Sequence, residues 1–238
     1  MPNPWIIAHR GDLAVAPENT LASITAALDA GAEGVEFDVH ATRDGVVVVH
    51  HDPIPRAHAS NPALEGRPFS TLDAAEVRGF RIDGRHHIPT LQEVLDLVQD
   101  RAWLFCELKG AGVVEVAAPL LRQHHGRCAM HAFDHRAVVR ASVLAPAVPR
   151  GILLVSRLVE PLAAMRAAHA TTLWPHADTV DASLVDELRS AGMDVIPWTV
   201  NAPEDGLRLA QLGVTGICTD HPRTMRQAIA STKSAAPA

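Results

Sequence analysis

Two short apolar segments of this chain carry ionisable residues in the alternating pattern of a β-strand. In Val35-Glu36-Phe37-Asp38-Val39, Glu36 and Asp38 fall on one face and the three apolar residues on the other. In Trp103 to Lys109, Glu107 and Lys109 share a face beyond Trp103 and Phe105. Buried strands do not carry such groups cheaply unless they serve a site. Three carboxylates, Glu36, Asp38 and Glu107, would form a hard, oxygen-rich site suited to Mg²⁺ or Ca²⁺ rather than zinc. A solvent-facing strand would explain any one of them alone. It does not explain all three together with Lys109, because lysine is scarce here. Of 21 basic residues only Lys109 and Lys233 are lysines. Lys233 sits in the small, polar stretch 231–238, read as a disordered tail.

The rest of the composition narrows the possibilities. The chain has 238 residues, a formal charge of -6 and 47% hydrophobic residues, enough for one large domain with a substantial core. Mild acidity argues against a sequence-independent nucleic-acid binder. No run reaches the roughly eighteen apolar residues of a membrane span. The start, Met1 to His9, lacks the pattern of a secretory signal. Cys106, Cys128 and Cys218 lie in apolar segments without metal-type spacing and read as reduced core residues, so the expected compartment is the cytoplasm. Fourteen histidines and no tyrosine leave acid–base chemistry to imidazole.

Strand-like runs alternate with amphipathic helical stretches. The strands are expected at 5–8, 35–39, 103–108, 128–131, 152–155, 171–174, 195–199 and 216–219. Helices are expected to start near Asn19, Thr90, Gly112, Asp134, Arg157, Asp181, Pro203 and Pro222, and to stop at Gly31, Gly192 and Gly213. Eight such pairs in one chain of this length predict a (β/α)8 barrel of the TIM type, an α/β fold spanning 1–230. No glycine-rich dinucleotide turn follows the first strand, which disfavours a doubly wound sheet. Val46–His51 is a ninth strand-like run. A two-residue turn at Arg43-Asp44 would make it a hairpin with Glu36 opposite His51. Residues 53–88, rich in Pro, Arg, His and Gly, read as a small insertion capping one end, with a short helical pattern at 72–77.

Taken in order, His9-Arg10-Gly11, Pro17-Glu18-Asn19-Thr20, Glu36-Phe37-Asp38-Val39, Thr42-x-Asp44-Gly45, His51-Asp52 and Glu107-Leu108-Lys109 resemble the glycerophosphodiester phosphodiesterase family. Phe133-Asp134, Trp198-Thr199-Val200-Asn201 and Gly216 to Asp220 extend the resemblance over about 5–227. The resemblance implies a phosphodiesterase barrel with an insertion after the second motif histidine. It also implies a bound divalent metal and hydrolysis of glycerophosphodiesters to sn-glycerol 3-phosphate and an alcohol. Carried over position by position, it makes His9 and His51 the acid–base pair and Glu36, Asp38 and Glu107 the metal ligands. Arg10 and Lys109 become phosphate contacts and Trp198 an apolar wall beside the glycerol. Ala132 stands where the family has serine, and the segment after Asp52 departs from the family pattern.

These roles agree with the chemistry of an anionic ester. Cations must surround the nonbridging oxygens, and imidazoles can both accept the nucleophile's proton and protonate the leaving alkoxide. The nucleophile is either water or the substrate's own glycerol hydroxyl, and either histidine can be the base. The partner is a small glycerophosphodiester, with no nucleic acid and no membrane span; the sequence leaves the oligomeric state open. Two alternatives are a phosphate-binding barrel without turnover and a related phosphodiesterase acting on lysophospholipid headgroups. His50 is expected to face away from the site by strand alternation. His176, Trp5, Trp103 and Trp174 are expected to be structural, and Asn19 to cap the first helix without a catalytic role.

Overall fold

The computed structural model describes residues 3–234. The chain opens with β1 (Trp5–His9), α1 (Leu21–Asp29) and β2 (Gly34–Ala41), followed by the hairpin strand β3 (Val47–Val49). The insertion contains β4 (His58–Ala59), α2 (Ala74–Val77) and β5 (Phe80–Arg81). The alternation then runs through α3 (Leu91–Val98), β6 (Trp103–Leu108), α4 (Val113–Gln123), β7 (Cys128–Ala132), α5 (His135–Leu144) and β8 (Arg150–Leu154). It ends with α6 (Pro161–Ala167), β9 (Thr172–Pro175), α7 (Ala182–Ser190), β10 (Asp194–Val195), α8 (Pro203–Leu212), β11 (Gly216–Thr219) and α9 (Pro222–Ser234).

The parallel strands are ordered β10-β9-β8-β7-β6-β2-β1-β11, and β3 pairs antiparallel on β2. The seam between β10 and β11 is joined by Thr215 N–H to Val195 O (2.9 Å) and Cys218 N–H to Pro197 O (3.0 Å). The result is the expected eight-stranded barrel, nearly closed. Leu, Val and Ala side chains of the helices pack on the outward strand faces as one continuous core. Inside the barrel Ile7, Phe105, Ala129, Leu153, Trp174, Ile196 and Cys218 form a second cluster. All three cysteines are free and buried. Among the described residues no helix is long and apolar enough to cross a membrane.

Helix starts at Thr90, Gly112, Asp134 and Asp181 fall at the observed N-caps, because their signals are local. Several expectations are corrected. Thr20, not Asn19, caps α1 and makes a capping box with Ser23. Helix α6 begins at Pro161 rather than near Arg157, since proline suits the first helical turn and not its interior. The strand expected over 195–199 shrinks to Asp194–Val195 because Pro197 lacks the N–H to continue a ladder. Residues 231–234, assigned to a tail, continue α9, so the backbone at Lys233 is helical; 235–238 lie outside the described residues.

The hairpin register is also corrected. Thr42 N–H bonds Val46 O (2.9 Å) and Gly45 N–H bonds Thr42 O (3.0 Å), which makes a three-residue loop over 43–45. Gly45 takes the left-handed conformation (φ 81°) that closes such a loop. Val39 therefore opposes Val49, one residue out from the expected pairing, and β3 ends before His51. The insertion has its own small core of Val48, Phe69, Leu72, Val77, Phe80, Ile82 and Ile88. Phe69 sits between His40 (5.6 Å, stacked) and His50 (5.5 Å, edge-on), anchoring the insertion to the hairpin.

Candidate active site

The site is built in inward-facing rows at the carboxyl ends of the strands. Register places His9 beside Glu36 and Phe105, and one row higher places Asp38 beside Glu107, with His131 next in line. Where β1 ends, Arg10 adopts a left-handed conformation (φ 59°) and Gly11 follows at φ 100°. A Cβ on Gly11 would lie 2.4 Å from Ser23 Oγ, so only glycine fits there. Arg10 N–H bonds Glu36 O (2.8 Å), and Ser23 Oγ and Asn19 N–H both donate to Arg10 O (2.9 Å each). These bonds fix the turn that brings His9 and Arg10 together over β2.

Both motif histidines have a carboxylate behind them. His9 Nδ1 lies 2.6 Å from Asp220 Oδ1, and Asn201 Nδ2 donates to Asp220 Oδ2 (2.6 Å). His51 Nδ1 lies 2.8 Å from Asp52 Oδ1, while Arg56 holds the other Asp52 oxygen. An acceptor at Nδ1 puts a proton there and leaves each Nε2 basic toward the pocket. Burial works against ionised Asp220, but its bonds to His9 and Asn201 outweigh that and hold its carboxyl below the usual range. His51 is positioned by the hairpin end: His50 N–H bonds Asp38 O (2.9 Å) and His40 Nε2–H donates to His51 O (3.0 Å).

Between the histidines lies the charged centre. Asp38 is fully buried; Arg10 Nε stands 3.0 Å from Oδ2, Asn19 Nδ2 donates to Oδ2 (2.9 Å), and Lys109 Nζ is 3.1 Å from Oδ1. Burial opposes its ionisation, but Arg10, Lys109 and Asn19 prevail and keep the carboxyl far below the ordinary range. Lys109 Nζ also meets Glu107 Oε1 at 2.8 Å. Burial would drain the lysine's proton, yet Asp38 and Glu107 raise its affinity above that of a free lysine. Glu107 shows the opposite balance. Burial first, then the Asp38 charge, push it up to about 8. Glu36 is 2% exposed and neither of its carboxyl oxygens has a hydrogen-bond partner. Two imidazoles face it, His131 Nε2 at 3.5 Å and His9 Nε2 at 4.0 Å.

Ionised together, the three carboxylates would exceed Arg10 and Lys109 by one negative charge, and burial with the Asp38 charge drives Glu107 to hold a proton in place of a cation. That imbalance, with the orphaned Glu36 oxygens, fits a divalent cation. Glu36, Glu107 and His131 each present a ligand atom within 4.8 Å of the others; Asp38, with Lys109 Nζ 3.1 Å from its Oδ1, stands outside that group.

A pocket of about 480 Å³ opens over this centre, lined on one side by His9, Arg10, Glu36, His51, Glu107 and Lys109. The opposite side is apolar: Phe133, Leu153, Trp174 and Trp198. Trp198 packs edge-on against Phe133 (5.4 Å), and its Nε1–H donates to Trp174 O (3.0 Å). All sequence-selected residues except Asp38 line the pocket; Asp38 sits directly behind it. His50 turns into the insertion, where Nε2 accepts from Arg56 N–H (3.0 Å), as strand alternation requires. Asp220, Asn201, Asp52 and His131 were not singled out from sequence. Asp220 and Asp52 stood in the motif segments, but the pairing of Asp220 with a histidine 211 residues away has no local spacing signal. Trp174, expected to be core alone, is both core and pocket wall.

A sequence profile of the glycerophosphoryl diester phosphodiesterase family matches residues 9–224. The chain belongs to this family. It is 32% identical over 232 residues to a glycerophosphodiester phosphodiesterase of Caldanaerobacter subterraneus subsp. tengcongensis, covering 92% of this chain and 95% of that one. It is 28% identical to a glycerophosphodiester phosphodiesterase of Bacillus altitudinis, covering 91% and 94%. Its fold matches an Oleispira antarctica phosphodiesterase solved in complex with the product sn-glycerol-3-phosphate, at TM-score 0.86 and 27% identity over 96% and 97% of the two chains. Family membership makes the chain a phosphoric diester hydrolase and accounts for a pocket at the barrel mouth with charged and apolar walls.

Proposed function

We propose that this family member hydrolyses glycerophosphodiesters to sn-glycerol 3-phosphate and an alcohol, with His9 and His51 as the acid–base pair. The observation that carries this reading is the pair of Asp-backed imidazoles, His9–Asp220 and His51–Asp52, at one pocket with Arg10 and Lys109. Each carboxylate orients its ring and stabilises the imidazolium that forms when Nε2 takes a proton. One histidine then removes the proton from the attacking hydroxyl and the other delivers one to the departing alkoxide. Arg10 and Lys109 contribute fixed positive charge to the phosphate. Trp198, Phe133 and Trp174 offer carbon surface to the glycerol chain and exclude water from that side.

Glu36, Asp38 and Glu107 would hold a divalent ion, Mg²⁺ or Ca²⁺ by their oxygen donors. When bound, it supplies concentrated positive charge against the nonbridging oxygens and polarises the phosphoryl group. The proposed setting is the cytoplasm, in keeping with three unpaired cysteines.

The alcohol preference has a second reading. Exposed Val15, Ile54, Phe133, Val155 and Val159 all lie in loops that follow strand carboxyl ends. An apolar rim there would accept the acyl chain of a lysophospholipid. A panel of glycerophosphocholine, glycerophosphoethanolamine and lysophosphatidylcholine, with and without EDTA, tests both. Metal-dependent release of glycerol 3-phosphate from the short diesters supports the first reading. Release of lysophosphatidate and choline from the lysolipid alone would favour the second, and no turnover of any would leave only a binding barrel.

A further inference from the structure

His131 is the side chain at this site that the acid–base reading does not use. It is 1% exposed, in the same inward row as Asp38 and Glu107. Its Nε2 stands 3.5 Å from Glu36 Oε1, beyond good hydrogen-bond range, and its Nδ1 has no hydrogen-bond partner. A buried imidazole paired so poorly costs free energy, as do the two unpartnered oxygens of Glu36. A solvating hydrogen bond therefore does not account for its place.

The ring is nonetheless held firmly. It stacks on Trp174 with centroids 4.3 Å apart and planes at 13°. The neighbouring residue in the row is Gly151, where a Cβ would lie 2.7 Å from the Trp174 indole. Gly151 thus clears the space in which Trp174 fixes His131, and the fixed ring aims Nε2 at Glu36 and Glu107. Aromatic stacking does here what a hydrogen bond at the second nitrogen commonly does for a metal-binding histidine.

We infer that His131 donates Nε2 to the divalent ion held by Glu36 and Glu107, giving a mixed nitrogen–oxygen site that favours first-row transition ions such as Mn²⁺ over Mg²⁺ and Ca²⁺. The inference rests on the metal reading proposed above and refines its choice of ion. Imidazole adds little affinity for Mg²⁺ and Ca²⁺ and more for first-row transition ions, least for Mn²⁺ and rising along the series, so selectivity moves while the carboxylates still bind either class.

The test uses the whole chain, stripped with EDTA and reloaded with Mn²⁺ or Mg²⁺. Calorimetry gives the two affinities, and pulsed electron paramagnetic resonance of the Mn²⁺ form reports nitrogen in its coordination shell. The expected result is a ¹⁴N modulation in the unaltered protein that His9→Gln and His51→Gln keep and His131→Gln loses. The preference for Mn²⁺ over Mg²⁺ should fall roughly tenfold to a hundredfold in His131→Gln, the scale on which metal-site partners act. Bound Mn²⁺ without ¹⁴N modulation, or modulation surviving His131→Gln, would overturn the inference and leave the carboxylate site standing. Failure of either ion to bind would overturn the site itself. Should His131→Gln not fold, loss of the modulation in His9→Gln or His51→Gln would still assign the nitrogen elsewhere.

Discussion

Strand β6 passes from one kind of interior to another within a few residues. At its amino-terminal end Trp103 stacks between Trp5 and Phe105, at 5.9 Å to each, and Phe105 meets Trp174 edge-on at 5.2 Å. At its carboxyl-terminal end the same face carries Glu107 and Lys109. The aromatic end obtains its stability from burial and shape. The charged end sacrifices stability, since Glu36 lacks partners and Glu107 is pushed up to about 8, first by burial and then by Asp38. Aromatic packing beneath the charges keeps water out and makes each uncompensated charge count for more. The lower end thus stabilises a mouth that is unfavourable until something cationic or anionic enters it.

That contrast predicts separable failures. The largest effect belongs to the mouth: His9→Ala and His51→Ala should each lower kcat by roughly 10²–10⁴-fold with an unchanged circular-dichroism spectrum. Near-normal turnover in either variant would remove that histidine from the mechanism. At the opposite end, Phe105→Ala should cost about 3–5 kcal/mol in urea denaturation, with a smaller loss of kcat than either histidine variant. A stable Phe105→Ala protein would show that the aromatic end does not support the barrel.

The junction of hairpin and insertion supplies a third, intermediate case, because the buried histidine there is kept neutral. Burial lowers His50 from 6.5 to about 4. Between those values the unfolded chain binds a proton that the folded chain refuses, so stability rises with pH. The contribution is complete above about pH 6.5 and is lost as pH falls toward 4, up to about 3 kcal/mol in all. His50→Gln should flatten that slope in denaturation curves from pH 7 to 4.5; an undiminished slope would place the titration elsewhere. The smallest effect is a reversal of sign. Without metal, Glu36→Gln should raise stability by about 1 kcal/mol, because an unpartnered buried carboxylate is removed. With divalent ion in excess the same variant should be the less stable, and equal shifts in thermal melts under both conditions would argue against a cation at Glu36.

The difference between the two ends also marks what can be read from sequence. The strands and most caps were legible because alternation and capping residues are local signals. The charges of Glu36, Asp38, Glu107 and Lys109 stood out because they interrupt apolar strands. His131 did not, since it sits in Cys128–Ala132, where both faces are buried and an imidazole reads as filler. Asp38 could be assigned a face but not its partners, which come from three other segments. The hairpin register turned on whether Gly45 belongs to the loop or the strand. Its left-handed backbone decides this, and composition does not reveal it.

The aromatic column has a consequence for observing this protein. The chain contains no tyrosine and four tryptophans, Trp5, Trp103, Trp174 and Trp198, all of them packed with the cluster inside the barrel. Emission excited beyond the phenylalanine band therefore comes from these tryptophans alone, with no contribution from the insertion or the outer helices. Trp174 lies face to face with His131, and Trp198 stands at the pocket wall. Charging that imidazole or filling that pocket alters the surroundings of an indole directly. The molecule thus carries an intrinsic optical reporter whose upper members sense occupancy of the mouth and whose lower members sense only whether the barrel is intact.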